Sequence, residues 1–79
     1  MIVVYTLPNC PQCKMTKNFL FQHHVRYQEV DLTKDQAARE KLRAAGYQTT
    51  PVVMTPQARW YGFRPDYLRK FTIVKAIAR

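Results

Sequence analysis

The 79-residue sequence allows one small domain, residues 1–79, and its 47% hydrophobic and 23% charged content is that of a globular protein. Thirteen lysines and arginines against five aspartates and glutamates give a formal charge of +8. The cations are dispersed along the chain with no basic run of the kind seen in nucleic-acid tails, so we expect mainly solvated surface charges, and steering of an acidic protein partner is the functional alternative.

The chain opens on an apolar run that ends at Tyr5. No basic residues precede this run, and it is too short to cross a bilayer, so we expect neither a signal peptide nor a membrane partner. The expected compartment is the cytoplasm. Residues Met1 to Thr6 include three successive β-branched side chains, which predicts a buried strand covered on both faces.

Two cysteines follow where this strand ends, in the sequence Cys10-Pro11-Gln12-Cys13. Pro11 suits the first position of a helix, where a backbone N–H has no partner in any case, and this places Cys10 near the N-cap. The helix is predicted to reach about His24, and a second strand is predicted over Val25 to Leu32. A strand, a helix and a strand over this length predict a parallel βαβ unit.

Thr33 and Gln36 have the spacing of a capping box, which predicts Thr33 as the N-cap of a second helix. That helix is predicted to run through Ala45 and to stop at Gly46, a suitable left-handed residue.

Two short strands, Val52 to Met54 and Arg59 to Tyr61, are predicted next as a β-hairpin. A last helix is predicted to begin at Pro65-Asp66. Its apolar stripe consists of Leu68, Phe71, Val74 and Ile77. The predicted element order is therefore βαβαββα.

The cysteine pair is the candidate reactive site. A disulfide between residues so close in sequence closes a very short loop, so it removes little entropy from the unfolded chain and stabilises the fold little. In a reducing compartment such a pair indicates catalysis or metal binding. A sulfur at a helix N-terminus faces unpaired N–H groups and the positive end of the helix dipole, which stabilise a thiolate. We therefore expect Cys10 to attack and Cys13, one turn deeper, to resolve. Lys14 and Lys17 add positive potential.

A zinc site is the alternative for the same pair, because His23 and His24 could supply two imidazoles. Adjacent histidines on a helix point about 100° apart. Zinc sites space their histidines by about three to five residues. The spacing disfavours zinc and makes both histidines surface residues at a helix end.

The element order, the Cys-x-x-Cys at the first strand-to-helix turn and a proline before the third strand resemble the thioredoxin fold as it occurs in glutaredoxins. That resemblance spans essentially the whole chain and implies an α/β domain in which three helices flank a four-stranded mixed sheet. More narrowly, Cys10 to Cys13, Thr50 to Val53 and Trp60 to Asp66 together resemble the NrdH-redoxins, the glutaredoxin-like electron donors of class Ib ribonucleotide reductases.

The resemblance implies a dithiol-disulfide oxidoreductase that passes electrons from thioredoxin reductase to the large subunit of ribonucleotide reductase. It implies a redox-active Cys10–Cys13 disulfide and no bound cofactor or metal. Some glutaredoxins bridge two copies with an iron-sulfur cluster, which Pro11 disfavours. A glutathione-dependent glutaredoxin or general protein disulfide reductase is the main alternative, and a metal-binding or regulatory module is a third. DNA binding has only the charge in its favour.

The resemblance also implies a cis bond between Thr50 and Pro51 beside the cysteines, which leaves the Thr50 backbone free to pair with an incoming peptide. Residues expected to contact substrate or partners are Thr6, Pro11, Gln12, Thr50, Pro51, Trp60, Gly62, Phe63 and Arg64.

The segment from Trp60 to Asp66 bears on the choice of reductant. Glutathione-using glutaredoxins usually carry a Gly-Gly pair and a following Asp here, whereas this chain has Gly62 followed by Phe63 and Arg64. The added side chains predict weak glutathione binding. Trp60 is either a partly exposed anchor for a partner or a core aromatic, and Phe63 has the same two interpretations. Arg64 is expected to pair or to contact a partner.

Overall fold

Four strands form one mixed sheet in the computed structural model of the chain, which describes residues 2–70. The strands are β1 (Ile2–Thr6), β2 (Tyr27–Asp31), β3 (Val52–Met54) and β4 (Arg59–Tyr61). Their spatial order is β2-β1-β3-β4. β1 runs parallel to β2 and antiparallel to β3, and β3 is antiparallel to β4. The predicted four-stranded mixed sheet is confirmed.

Three helices connect and cover these strands. Helix α1 spans Pro11–Gln22, α2 spans Gln36–Ala44, and residues 65–70 are helical and begin α3. The order βαβαββα is therefore confirmed. The later members of the predicted α3 stripe, Phe71, Val74 and Ile77, lie outside the described residues. Within residues 2–70, no helix combines the length and apolar character needed to cross a bilayer.

The core lies on both faces of the sheet because successive side chains of a strand point to opposite sides. On one face, Val4 packs with Leu20 of α1 and Leu68 of α3. On the other face, Val52 packs with Leu42 of α2. Burial alternates along β1 between buried and half-buried, so the expected full cover on both faces is wrong. The face covered by α2 is the thinner one.

Helix α1 ends earlier than predicted, at Gln22 rather than His24. His24 adopts a left-handed conformation with φ 57°. The N–H of Val25 donates to the carbonyl of Leu20 at 2.9 Å, and the N–H of His24 donates to that of Phe21 at 3.1 Å, which is the Schellman pattern. Because this turn uses Val25, the next strand begins only at Tyr27.

The predicted capping box of α2 is wrong. The Thr33 hydroxyl donates to the Asp31 carboxylate at 2.6 Å, and the Thr33 N–H donates to the same oxygen at 2.9 Å. Asp35 is the N-cap instead, since its carboxylate accepts the Ala38 N–H at 3.0 Å. Gly46 ends the helix region with φ 93°, in the predicted left-handed position.

Candidate active site

Cys10 and Cys13 lie at the turn between β1 and α1, joined as a disulfide, with their Cα atoms 5.2 Å apart. Cys10 is the N-cap of α1, and Pro11 occupies the first helical position, as predicted. Cys10 is half-buried, whereas Cys13 is only 2% exposed. An incoming disulfide can therefore reach Cys10, and Cys13 is placed to attack from within.

Hydrogen-bond donors converge on the sulfur of Cys10. The Cys13 N–H donates to Cys10 Sγ at 3.2 Å, and the Thr50 hydroxyl donates to it at 3.4 Å. In the reduced protein both donors would stabilise a thiolate at Cys10, because a hydrogen bond to the charged form favours that form. The hydroxyl contact was not predicted, since the resemblance pointed only to the backbone of Thr50.

The bond between Thr50 and Pro51 is cis, as the resemblance implies. Pro51 is fully buried, and its carbonyl accepts the Gly62 N–H at 2.8 Å. The carbonyl oxygen of Thr50 lies 3.7 Å from Cys10 Sγ. The residues on either side of this bond therefore connect the cysteine turn with the segment that begins at Gly62.

Gln12 makes a second connection to that segment. Its Oε1 accepts the Phe63 N–H at 3.0 Å, across 51 positions of sequence. Gly62 has φ 82°, and a Cβ at this position would lie 3.2 Å from Gln12 Oε1. The positive φ favours glycine here, and a side chain would in addition force the Gln12 amide to shift by a few tenths of an ångström.

Trp60 belongs to the core and is only 6% exposed, so the interpretation as an exposed anchor is wrong. Its ring packs against Tyr67 with centroids 5.1 Å apart. Because side chains alternate along β4, its neighbour Tyr61 is the exposed aromatic, at 60%. Phe63 is half-buried and packs against the same core, with an edge contact to Phe19 at 6.4 Å.

Arg64 forms an ion pair with Asp66, which meets the expectation of a pairing role. Arg64 Nε and Nη2 donate to the two carboxylate oxygens at 3.2 and 3.0 Å. These hydrogen bonds lower the pKa of Asp66 below its ordinary value. The guanidinium also lies over the Tyr67 ring at 4.3 Å from its centroid.

Both cysteines line an open cavity of about 730 Å³, which we call the Glu29 pocket. It is lined by Thr6, Leu7, Pro8, Asn9, Cys10, Pro11, Cys13, Lys14, Met15, Lys17, Glu29 and Asp31. The Thr6 hydroxyl donates to Glu29 Oε2 at 2.8 Å, and Lys17 Nζ donates to the same oxygen at 3.0 Å. Thr6 is 3% exposed, so it forms part of the wall of this pocket rather than an exposed binding surface.

Partial burial opposes ionisation of Glu29, but the hydrogen bonds from Lys17 and Thr6 outweigh it and lower the pKa of this carboxyl. The sequence pattern did not indicate this network, because Thr6, Lys17 and Glu29 come from three different elements.

A second groove, of about 400 Å³, is lined by Thr50 but by neither cysteine, and we call it the Thr50 groove. It is lined by Leu7, Leu32, Arg39, Leu42, Arg43, Tyr47, Gln48, Thr49, Thr50 and Val52. Its leucine and valine side chains belong to the core between the sheet and α2. The two arginines were not predicted as site residues, because only the path of the loop before Pro51 brings Thr50 into the same groove as these α2 side chains.

No three of the histidine, cysteine, aspartate and glutamate side chains within residues 2–70 converge where a metal ion could bind. His23 caps the end of α1, and its ring lies 4.3 Å from that of Phe19. It therefore lies at the opposite end of the helix from the cysteines.

Comparison with known proteins places this geometry among redox proteins. Residues 2–58 match the glutaredoxin family model. The glutaredoxin-like protein NrdH of Lactococcus lactis is 34% identical over 70 residues, which cover 89% of this chain and 97% of that protein. The NrdH protein of Salmonella typhimurium is 36% identical over 69 residues, covering 87% and 85% of the two chains.

The structure of the glutaredoxin-like protein NrdH-redoxin from Escherichia coli is similar as well. It superposes with a TM-score of 0.84 at 33% identity, covering 87% of this chain and 91% of that one. Its study describes a thioredoxin-like activity profile for that protein.

Proposed function

Because this chain belongs to the glutaredoxin family, and within it to the NrdH-redoxins, we propose that it carries electrons from thioredoxin reductase to the large subunit of class Ib ribonucleotide reductase. The observation that carries the chemistry is the convergence of the Cys13 N–H and the Thr50 hydroxyl on Cys10 Sγ. Both donors stabilise the attacking thiolate.

The reaction transfers two electrons in two exchange steps. The Cys10 thiolate attacks one sulfur of the substrate disulfide, and the other substrate sulfur leaves as a thiolate and takes up a proton. Cys13 then loses its proton and attacks Cys10 Sγ, which releases the second substrate sulfur and forms the Cys10–Cys13 disulfide. The substrate is reduced to a dithiol, the carrier is oxidised, and thioredoxin reductase returns two electrons to the carrier.

The contacts of Phe63 support a protein reductant over glutathione. A tripeptide with carboxylates needs free N–H donors beside the reactive sulfur, and the Phe63 N–H already donates to Gln12 Oε1. The Gly62 N–H likewise donates to the Pro51 carbonyl. The thioredoxin-like activity profile described for the Escherichia coli protein supports the same choice.

A dithiol carrier of this kind works where disulfides are reduced enzymatically, which supports the cytoplasm as its compartment. The formal charge of +8 would speed its association with acidic partner surfaces.

A glutathione-dependent glutaredoxin or a general disulfide reductase is the second candidate, because the family model that matches residues 2–58 is that of the glutaredoxins. The two candidates differ in the source of electrons. They share the cysteine chemistry.

The test follows NADPH oxidation with a small disulfide as acceptor, once with thioredoxin reductase and once with glutathione plus glutathione reductase. We expect turnover with thioredoxin reductase and little with glutathione, and Cys10→Ser serves as the inactive control. A second assay supplies the carrier and its reductase to class Ib ribonucleotide reductase and measures deoxyribonucleotide formation. Turnover in the glutathione system alone would contradict the proposal.

A further inference from the structure

The Thr50 groove is one residue away from the attacking sulfur. Thr50 lines the groove, and its hydroxyl lies 3.4 Å from Cys10 Sγ. An extended chain advances about 3.3 Å per residue. A peptide joined to Cys10 that runs past Thr50 therefore enters the groove within about one or two residues of its own cysteine.

The floor of the groove is apolar and belongs to the folded core. Leu32, Leu42 and Val52 are 6%, 5% and 1% exposed, so the floor is fixed by packing against the sheet. The volume of about 400 Å³ falls in the range of ligand pockets, about 300 to 1,000 Å³. The floor can accept an apolar side chain.

The rim of the groove carries two arginines that have no carboxylate partner within residues 2–70. Arg39 and Arg43 are one helical turn apart on α2, so they lie on the same face of that helix. Both are exposed, and neither forms an ion pair with any carboxylate among residues 2–70. By contrast, Lys17 and Arg64 are each paired within the fold.

We propose that the Thr50 groove binds the segment beside the substrate's reactive cysteine, with an apolar side chain on the floor and an aspartate or glutamate at Arg39 and Arg43. The preferred acceptor is therefore a disulfide-bearing peptide segment that is acidic next to its cysteines. A guanidinium matches a carboxylate with two parallel hydrogen bonds, which gives direction as well as attraction. This inference rests on the proposed function only in that Cys10 must attack a substrate disulfide.

The test uses synthetic peptides that share one internal disulfide and one leucine and differ only in the flanking residues, which are aspartates, glutamines or lysines. The carrier is reduced beforehand and mixed with each peptide, so no reductase takes part. We expect the acidic peptide to react about threefold to tenfold faster than the neutral one at low salt, the gain expected from one or two exposed ion pairs. The lysine peptide should react slowest, and added salt should compress the differences.

Two double variants assign this preference to the groove. Arg39→Glu with Arg43→Glu should make the lysine peptide the fastest, and Arg39→Gln with Arg43→Gln should remove the preference while keeping long side chains. The matched control for the glutamate variant is Arg26→Glu with Lys41→Glu, which changes the net charge as much at two exposed residues that do not line the groove. The control should retain the preference for the acidic peptide.

The rate at which each protein reduces a small uncharged disulfide reports on Cys10 chemistry, and each peptide rate is compared relative to that rate. Equal loss of preference in the control would overturn the inference, because the effect would then come from net charge alone. A preference for the acidic peptide that survives both groove variants would also overturn the inference. If those variants instead slow only the reduction of the carrier by thioredoxin reductase, the groove binds the reductase and not the substrate. Absence of any reduction by thioredoxin reductase would count against the proposed function and leave these peptide comparisons meaningful.

Discussion

One side of the site is the Glu29 pocket and the other is the Thr50 groove, and their charged side chains are paired differently. In the Glu29 pocket, one carboxylate oxygen accepts from both Lys17 and the buried Thr6 hydroxyl. In the Thr50 groove, Arg39 and Arg43 stand at the rim of an apolar floor with no carboxylate partner among the described residues. The fold thus pairs Glu29 with Lys17 in the pocket, whereas residues 2–70 offer no carboxylate partner to Arg39 or Arg43 in the groove.

Both cysteines line the Glu29 pocket, but they differ in burial and in their contact with Thr50. Cys13, at 2% exposure, faces the interior, whereas Cys10 contacts the Thr50 side through a hydroxyl at 3.4 Å. We therefore expect substitution of Glu29 or of its partners Thr6 and Lys17 to change mainly stability, and substitutions near Thr50 to change mainly reactivity and substrate choice.

The largest effects are expected from substituting the two cysteines, whose roles in the reaction differ. Cys10→Ser should abolish disulfide reduction, because the attacking sulfur is lost. Cys13→Ser should still attack but should accumulate the mixed disulfide through Cys10, since the resolving sulfur is missing. Non-reducing electrophoresis and intact-protein mass spectrometry measure the trapped species, and trapping by Cys10→Ser instead would reverse the two roles.

The next largest effect is expected from substituting Thr50 of the groove, with Thr6 of the Glu29 pocket as the comparison. Thr50→Val removes a donor to the Cys10 thiolate, so alkylation of the reduced protein by iodoacetamide near neutral pH should slow about threefold to tenfold, the loss of about one hydrogen bond to a charged group at a half-buried site. Thr6→Val removes a hydroxyl that donates to Glu29 and not to Cys10, so it should leave the alkylation rate unchanged. Equal slowing in both variants would mean that Thr50 has no special role at the sulfur.

The Thr50 hydroxyl shows where prediction from sequence stops. The position of Cys10 at the helix N-terminus follows from local rules for proline and helix caps, and the structure has it there. The contact with Thr50 joins residues 40 positions apart and depends on the path of the loop before Pro51. Arg39 and Arg43 have the same origin, because their helical spacing is local but their place beside Thr50 is not.

The errors have local causes. Thr33 has the spacing of an N-cap, but Asp31 lies two residues earlier and takes its hydroxyl and N–H, which leaves Asp35 to cap α2. Three residues of β4 alternate clearly, yet nothing in their order says which face is buried, so the exposure of Trp60 and Tyr61 could not be assigned. The element order was predictable because it depends on strong signals at prolines, glycines and β-branched runs.

A smaller effect is expected on stability. Thr6→Val removes one of the hydrogen bonds to Glu29 and keeps the shape of the side chain, so the free energy of unfolding should fall by about 1 kcal/mol. Urea unfolding of the oxidised protein measures this change. Thr50→Val, measured in the same way, should change stability less, because the bond it removes is the long contact to sulfur. The opposite ranking would contradict the division between the two sides.

The smallest effect is the dependence of Glu29 on pH. The pKa of Glu29 is lower in the folded protein than in the unfolded chain. The stability that ionised Glu29 contributes is therefore fully present above the unfolded pKa, which is about 4.3 for a free glutamate. It is lost as the pH falls through the folded pKa. Glu29→Gln should therefore lower the free energy of unfolding near neutral pH, and its difference from the wild type should shrink in acid.

The Glu29 side chain is 38% exposed and screened by solvent, so the difference at neutral pH should stay below about 1 kcal/mol. Asp31, whose pKa is lowered by hydrogen bonds from Thr33, is present in both proteins and cancels from the comparison. Arg39→Gln with Arg43→Gln should show no such acid-dependent difference, because no carboxylate in the described residues pairs with either arginine. If that variant instead lost stability in parallel with Glu29→Gln, the charges on the Thr50 side would already be satisfied by the fold, and the contrast between the two sides would fail.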